Sequence, residues 1–160
     1  ICSIYSLTLP PRMRIIGLTG SLRKTSFNTG LLRAAGQILS TSPAAQPFGK
    51  ISYEIVVPDL PLYNQDIDVP GNPSIAKATE FRQKIKNADG ILVASAEYNY
   101  SMSGALKNAL DWGSRGPDGN VFGDKAAAVI GAGGGVGTVR AQNHFRDSAL
   151  SLNLHVLNHP

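Results

Sequence analysis

The sequence predicts an α/β fold: a five-stranded parallel sheet in the order 2-1-3-4-5, with helices on both faces. Two observations carry this reading. Short apolar, β-branched runs alternate strictly with stretches of helical periodicity, giving β-α-β-α-β-α-β-α-β along the 160 residues. The strand candidates are near-continuous apolar runs, the pattern of strands covered on both sides. The length is about that of one domain. Right-handed crossovers then leave few topologies, and the one expected places a ligand at the carboxyl ends of the first and third strands.

The elements follow in order. Residues 14–19 read as a buried strand stopped by Gly20. Residues 29–40 read as a helix with Leu31, Leu32, Ala35, Ile38 and Leu39 on one face and Asn28 as N-cap. A surface loop over 41–49 leads to a second strand at 51–57. The proline-punctuated "PDLPLYNQDIDVPGNP" cannot hold regular structure for long. Residues 74–87 form a helix, with Ile75, Ala78, Phe81 and Ile85 at helical spacing, and Asp89-Gly90 ends it. Gly90–Ala94 is the third strand, and a polar, aromatic loop follows over 95–101. Ser103 caps a helix over 104–112, and a Gly/Pro/Asp loop runs to Asp124. The fourth strand is 125–130, the loop 131–137 is glycine-rich, and 139–152 is a helix. A fifth strand covers 153–158. With no closing helix after it, one sheet face is expected to be partly uncovered and the natural chain to be longer. Residues 1–13 are expected to be a leader or extension, and 14–160 the folded domain.

Composition narrows the function classes. Hydrophobic residues make up 42% and charged residues 16%, as in an ordinary globular domain. No apolar run approaches the ~18 residues of a membrane span. The net charge of +4 is modest, and Lys and Arg are scattered rather than striped, which argues against nucleic acid. Cys2 is the only cysteine, so no intrachain disulfide forms and a reducing, cytoplasmic setting fits. His155 and His159 lie on a strand-like segment, not on one face of a helix, and no HExxH occurs, so no metal site is expected.

In a parallel sheet every strand-to-helix loop leaves from one edge. Loops 20–28, 95–101 and 131–137 therefore converge, each at the positive end of a helix. In the first, Gly20 permits close backbone approach, and Ser21, Thr25, Ser26 and Asn28 offer hydrogen bonds. Arg23 adds a charged fork and the helix start adds free N–H groups, a set suited to phosphate. Lys24-Thr25 lacks the glycine a Walker A loop requires. In the second, Glu97, Tyr98, Asn99 and Tyr100 suit a flat heteroaromatic ring. In the third, "GAGGGVG" departs from GxGxxG because Val136 stands at the last position, and it follows the wrong strand for a dinucleotide fingerprint. Its glycines suit a ring edge lying against backbone. A phosphate at the first loop and a planar ring across the other two give the shape of flavin mononucleotide, FMN.

The stretches "GSLRKTSFN", "EYNYSMSGALKNALDW" and "GAGGGVGTVRAQNHFR" resemble the NADPH-dependent FMN reductase family, over about residues 14–160. The resemblance is to its plant-type NAD(P)H:quinone oxidoreductases and bacterial chromate/quinone reductases. It implies a flavodoxin-like three-layer sandwich and an FMN cofactor. It also implies hydride taken from NADPH (or NADH) through flavin N5, two-electron ping-pong reduction of quinones, and a homodimer or homotetramer. By that resemblance Ser21, Arg23, Ser26, Phe27, Asn28 and Thr29 hold the phosphate and ribityl chain. Ala96, Glu97, Tyr98 and Asn99 border the isoalloxazine, largely through backbone, and Gly133 and Gly134 approach its far edge. Ala96 and Ser103 stand where the family usually has Pro, which loosens the second loop. Arg115 and Arg140 face either the NADPH phosphate or solvent. Leu106, Ala109, Leu110 and Trp112 read as core or subunit contact, and Lys107 with Asp111 as a surface pair. No side chain is expected to be catalytic, because the cofactor carries the chemistry. Two alternatives remain: a non-enzymatic flavodoxin-like electron carrier, which would usually be acidic, and a scaffold that binds no FMN.

Overall fold

The computed structural model describes residues 12–158 of the chain. The leader expected over 1–13 lies almost wholly outside these residues, as do Cys2 and His159. Strand β1 (Arg12–Thr19) leads to helix α1 (Phe27–Thr41), β2 (Lys50–Val56) and α2 (Ala76–Lys86). Strand β3 (Gly90–Ala94) is followed by two short strands, β4 (Glu97–Tyr98) and β5 (Ser101–Met102), and by α3 (Gly104–Ser114). Strand β6 (Ala126–Ile130), helix α4 (Val139–Ser151) and β7 (His155–Val156) complete the order. The main sheet runs β2-β1-β3-β6-β7 and is parallel throughout, the expected topology once the small β4–β5 hairpin is set aside. Thr19, Ala94 and Ile130 pair across β1, β3 and β6, so the three loops leave the sheet at the same level.

One sheet face carries the main core. Ile16, Leu18, Ile91, Val93, Ala127 and Val129 pack with Phe81 and Ile85 of α2, Leu106 and Leu110 of α3, and Phe145 of α4. The expected core residues of α3 are all buried, Trp112 included. The opposite face is met by α1. There Gly17 makes room for Leu32 and Tyr53, and a Cβ on Gly36 would come within 2.9 Å of the Tyr53 ring. The Tyr53 hydroxyl donates to the Leu32 carbonyl at 2.9 Å. Leu92, Ala128 and Ile130 on this face stay half-buried.

Burial pushes the Tyr53 phenol above its ordinary value of 10.0. A group whose folded pKa is raised contributes stability that is complete below the unfolded pKa and is lost as pH rises through the folded one. Stability is therefore expected to fall in the alkaline window that opens above pH 10.0, and Tyr53→Phe removes that part of the fall. Phenolate absorbance checks it: one tyrosine should ionise after the exposed ones, and be missing from the variant.

Four local expectations are corrected. The N-cap of α1 is Ser26, not Asn28: the Ser26 hydroxyl accepts from Thr29 N, and the Asn28 amide is engaged elsewhere. Residues 43–48 form a 3-10 helix rather than a plain loop, because Ser42 caps it and Pro43 suits its first position. Residues 95–101 contain most of a hairpin, with Asn99 and Tyr100 at φ 51 and 64 making the turn that matches strand twist. The last strand shrinks to two residues. Helix α4 ends in a left-handed turn at Asn153, and Leu154 N donates back to Ala149 O at 3.0 Å, which consumes the segment.

The proline-rich 57–75 stretch is irregular but firmly held. Arg82 forks onto both Asp68 oxygens, with 2% of each side chain exposed, and its Nε donates to Trp112 O at 2.7 Å. Trp112 Nε1 donates to Pro61 O, and Asn108 bonds both Pro61 O and Tyr63 N.

Candidate functional site

The first loop is built from its own hydroxyls. Gly20 N donates to Ala94 O at 2.7 Å, and a Cβ on Gly20 would press on the backbone of Ala94, Ser95 and Ala96 at 3.0–3.2 Å. The buried Thr19 and Thr29 hydroxyls share a hydrogen bond at 2.9 Å. Ser21 Oγ accepts from Arg23 N, and Ser26 caps α1. The side chains of Ser21, Ser26 and Thr29 are thus spent on shaping the turn, and all three residues are buried. The backbone is less fully used. The backbone N–H groups of Leu22, Lys24, Thr25, Phe27 and Asn28 meet no acceptor among the described residues. Arg23 and Lys24 are exposed beside them, and Arg23 Nε donates to Thr25 Oγ1 at 3.0 Å. No carboxylate occurs between Gly20 and Thr29. Free N–H groups at a helix start, two cations and no anion are a donor set that fits a phosphate.

The second loop is the β4–β5 hairpin. Tyr98 and Tyr100 are 55% and 68% exposed at its tip, while Ala96 is buried at its base. An open space of about 510 Å³ borders Glu97, Asn99 and Tyr100. The Glu97 carboxylate does not point into solvent. Its Oε2 accepts from the N–H groups of Arg140 and Ala141 at 3.0 and 3.1 Å, capping α4. Thr138, at the sequence position of the cap, makes no side-chain cap bond. The Arg140 guanidinium lies 4.1 Å from the centre of the Tyr100 ring, and Ser101 Oγ meets His144 Nδ1 at 2.8 Å.

The glycine loop closes the arrangement. Asn28, from the first loop, bonds Ala132 twice: Ala132 N donates to Oδ1 at 2.9 Å and Nδ2 donates to Ala132 O at 3.2 Å. Gly131 is packed between Thr138 and Ser95, where a Cβ would overlap the Thr138 hydroxyl. Gly134 has open space where a side chain would be, so its backbone is available to a flat ligand. A cleft of about 760 Å³ separates the start of α1 from this loop, lined by Phe27, Leu31, Ala34, Gly133 and Gly134 among others.

The twelve predicted cofactor positions lie on these three converging loops and, for Phe27, Asn28 and Thr29, in the first turn of α1. Two of them do work the sequence did not announce, because the partners of Asn28 and Glu97 lie 104 and 43 residues away. The one available signal was the Gly-Thr-Val start of α4, which holds a poor cap and so asks for one from outside. Arg140 lies at the hairpin, over Tyr100, whereas Arg115 sits apart, 5.9 Å from the centre of the Tyr63 ring. Ser103, at a usual family proline, donates to Gly20 O and caps α3 through Leu106 N, so it ties the first and second loops together. Lys107 and Asp111 form the expected surface pair.

Residues 13–160 match the family model for NADPH-dependent FMN reductase. The chain belongs to the NADPH-dependent FMN reductase family. Within it, the chain is 50% identical over 153 residues to the NADPH:quinone oxidoreductase of Arabidopsis thaliana, covering 95% of this chain and 74% of that protein. It is 48% identical to the NAD(P)H:quinone oxidoreductase of Solanum tuberosum, covering 94% and 74%. Among solved structures it superposes on the flavoenzyme NAD(P)H:(acceptor) oxidoreductase FerB from Paracoccus denitrificans with a TM-score of 0.76. The identity there is 29%, over 92% of this chain and 76% of that one.

Proposed function

We propose that this chain is an FMN-dependent NAD(P)H:quinone oxidoreductase. The observation that carries the reading is the first loop: five free backbone N–H groups with Arg23 and Lys24, no carboxylate, and a level position beside the hairpin and the glycine loop. In this reading the loop from Ser21 to Thr29 grips the phosphate through its backbone and Arg23. Ser26 and Thr29 hold the loop in shape, and Phe27 shields one side. Ala96 to Asn99 and the backbone of Gly133 and Gly134 border the ring. What FMN supplies when bound is a two-electron relay, hydride accepted from a nicotinamide and electrons given to a quinone. The protein binds and orients, and leaves one open face that the two reactants use in turn, which is the condition for ping-pong kinetics. Arg140, half-exposed over Tyr100, offers a cation beside that face. The working protein is a homodimer or homotetramer of the cytoplasm. No helix among the described residues is long and apolar enough to cross a membrane.

The test is direct. Purified protein given FMN should show a bound flavin spectrum, bleach on anaerobic NADPH addition, and oxidise NADPH in steady state only when a quinone is present. A bound flavin that NADPH does not bleach would favour an electron carrier. A protein that ignores FMN would favour a scaffold.

A further inference from the structure

The glycine loop is pinned at both feet by side chains from the other two loops. At its first foot, Asn28 pairs with both backbone groups of Ala132, as a strand would. At its second foot, Glu97 gathers the N–H groups of Arg140 and Ala141. Between the two feet, Gly133 to Val136 are exposed. An exposed glycine-rich segment has high conformational entropy when free, so its shape depends on its anchors. Both anchors are sheltered. Asn28 is 6% exposed and the Glu97 side chain 12%.

We propose that Asn28 and Glu97 are a pair of positioning residues that fix the two feet of the glycine loop, so that the flavin slot exists before FMN arrives. This rests on the functional reading above and deepens it. Neither side chain need touch the cofactor. Asn28 sets the spacing between the phosphate loop and the glycine loop. Glu97 sets the spacing between the glycine loop and the tyrosine hairpin, and its acceptance of two helix N–H groups adds a charge–dipole attraction at the start of α4. Pre-organisation of this kind shows as affinity, because ordering is completed before binding.

The experiment reads the apoprotein and the cofactor separately. Asn28→Ala, Glu97→Ala and Glu97→Gln are compared with the wild type by hydrogen exchange over residues 131–141 without FMN, and by FMN titration followed through flavin fluorescence. Each alanine variant is expected to exchange about tenfold faster across the loop and to bind FMN about tenfold more weakly, the scale of losing hydrogen bonds to a buried polar group. Glu97→Gln keeps an acceptor oxygen for the two helix N–H groups and is expected to recover most of both losses, which a purely charge-based role would not allow. Unchanged exchange over 131–141 in the alanine variants overturns the proposal. So does faster exchange with wild-type FMN affinity, and so does a Glu97→Gln variant as impaired as Glu97→Ala. Failure of the wild type to bind FMN would sink the functional reading alone, since exchange still decides whether the loop is clamped.

Discussion

Asp68→Ala is expected to cost about 3–5 kcal/mol of folding stability, on the scale of emptying a core aromatic site. The reason lies in what it leaves behind. Arg82 is 2% exposed and sends Nη1 to Asp68 Oδ1 at 2.8 Å, Nη2 to Asp68 Oδ2, and Nε to Trp112 O at 2.7 Å. Its guanidinium also lies 5.1 Å from the centre of the Trp112 ring. Without Asp68 a full cation stays out of water with a carbonyl and a ring beside it, and with only the weaker field of Asp118 to oppose its charge. A buried pair contributes little over an apolar pair of the same volume, because desolvation offsets the attraction, but half a pair is strongly destabilising. The contrast to measure is with Asp59→Ala, which breaks an ion pair to Lys77 whose side chains are 68% and 70% exposed. That change should fall within about 1 kcal/mol, in the range of exposed pairs. Denaturant unfolding of both variants checks the difference. A double change of Asp68 to Leu and Arg82 to Met should recover much of the loss. If Asp68→Ala unfolds no more readily than Asp59→Ala, the 57–75 stretch is not held by this clamp.

This clamp also marks where sequence reading stopped. Periodicity identifies an element by what it buries against its neighbours, and so β1, β3, α3 and the sheet order were legible. Gly90–Ala94 and the Ser103 cap fall where residue type and spacing put them. Glycine, hydroxyls and cations after an apolar strand are readable as an anion-suited donor set from residue type alone. The proline-rich stretch had no periodicity to read, because its order comes from Arg82, Asn108 and Trp112, which reach it from other elements. The same holds for Asn28. Residue type made it look like a helix cap, a role that Ser26, two residues earlier, fills, while its amide pairs with a backbone 104 residues further on. Local rules see an N-cap preference; they do not see which of two candidates two residues apart has a better offer at long range.

Gly131→Ala is expected to damage FMN binding out of proportion to one methyl group. The residue lies where β6 gives way to the glycine loop, and a Cβ there would overlap the Thr138 hydroxyl and come within 2.7 Å of Ser95 O. Neither neighbour can yield cheaply. Thr138 is buried at the start of α4, and Ser95 is buried at the end of β3, where its N–H donates to Ile130 O at 2.8 Å. Relief must come from moving Gly131 itself, which drags Ala132 away from Asn28 and opens the spacing between the first and third loops. Overpacking of this kind costs about 1–3 kcal/mol in stability. If the loop spacing sets the slot, FMN affinity should fall at least about tenfold besides, equivalent to roughly 1.4 kcal/mol. Gly104→Ala is the control, because its Cβ would meet nothing within 4 Å and it sits at the first turn of α3. Parallel FMN titrations and thermal melts separate the two costs. A Gly131→Ala protein that melts early yet binds FMN as the wild type does would mean that the loop's exact distance from Asn28 is immaterial, and that phosphate contacts at the first loop alone hold the cofactor.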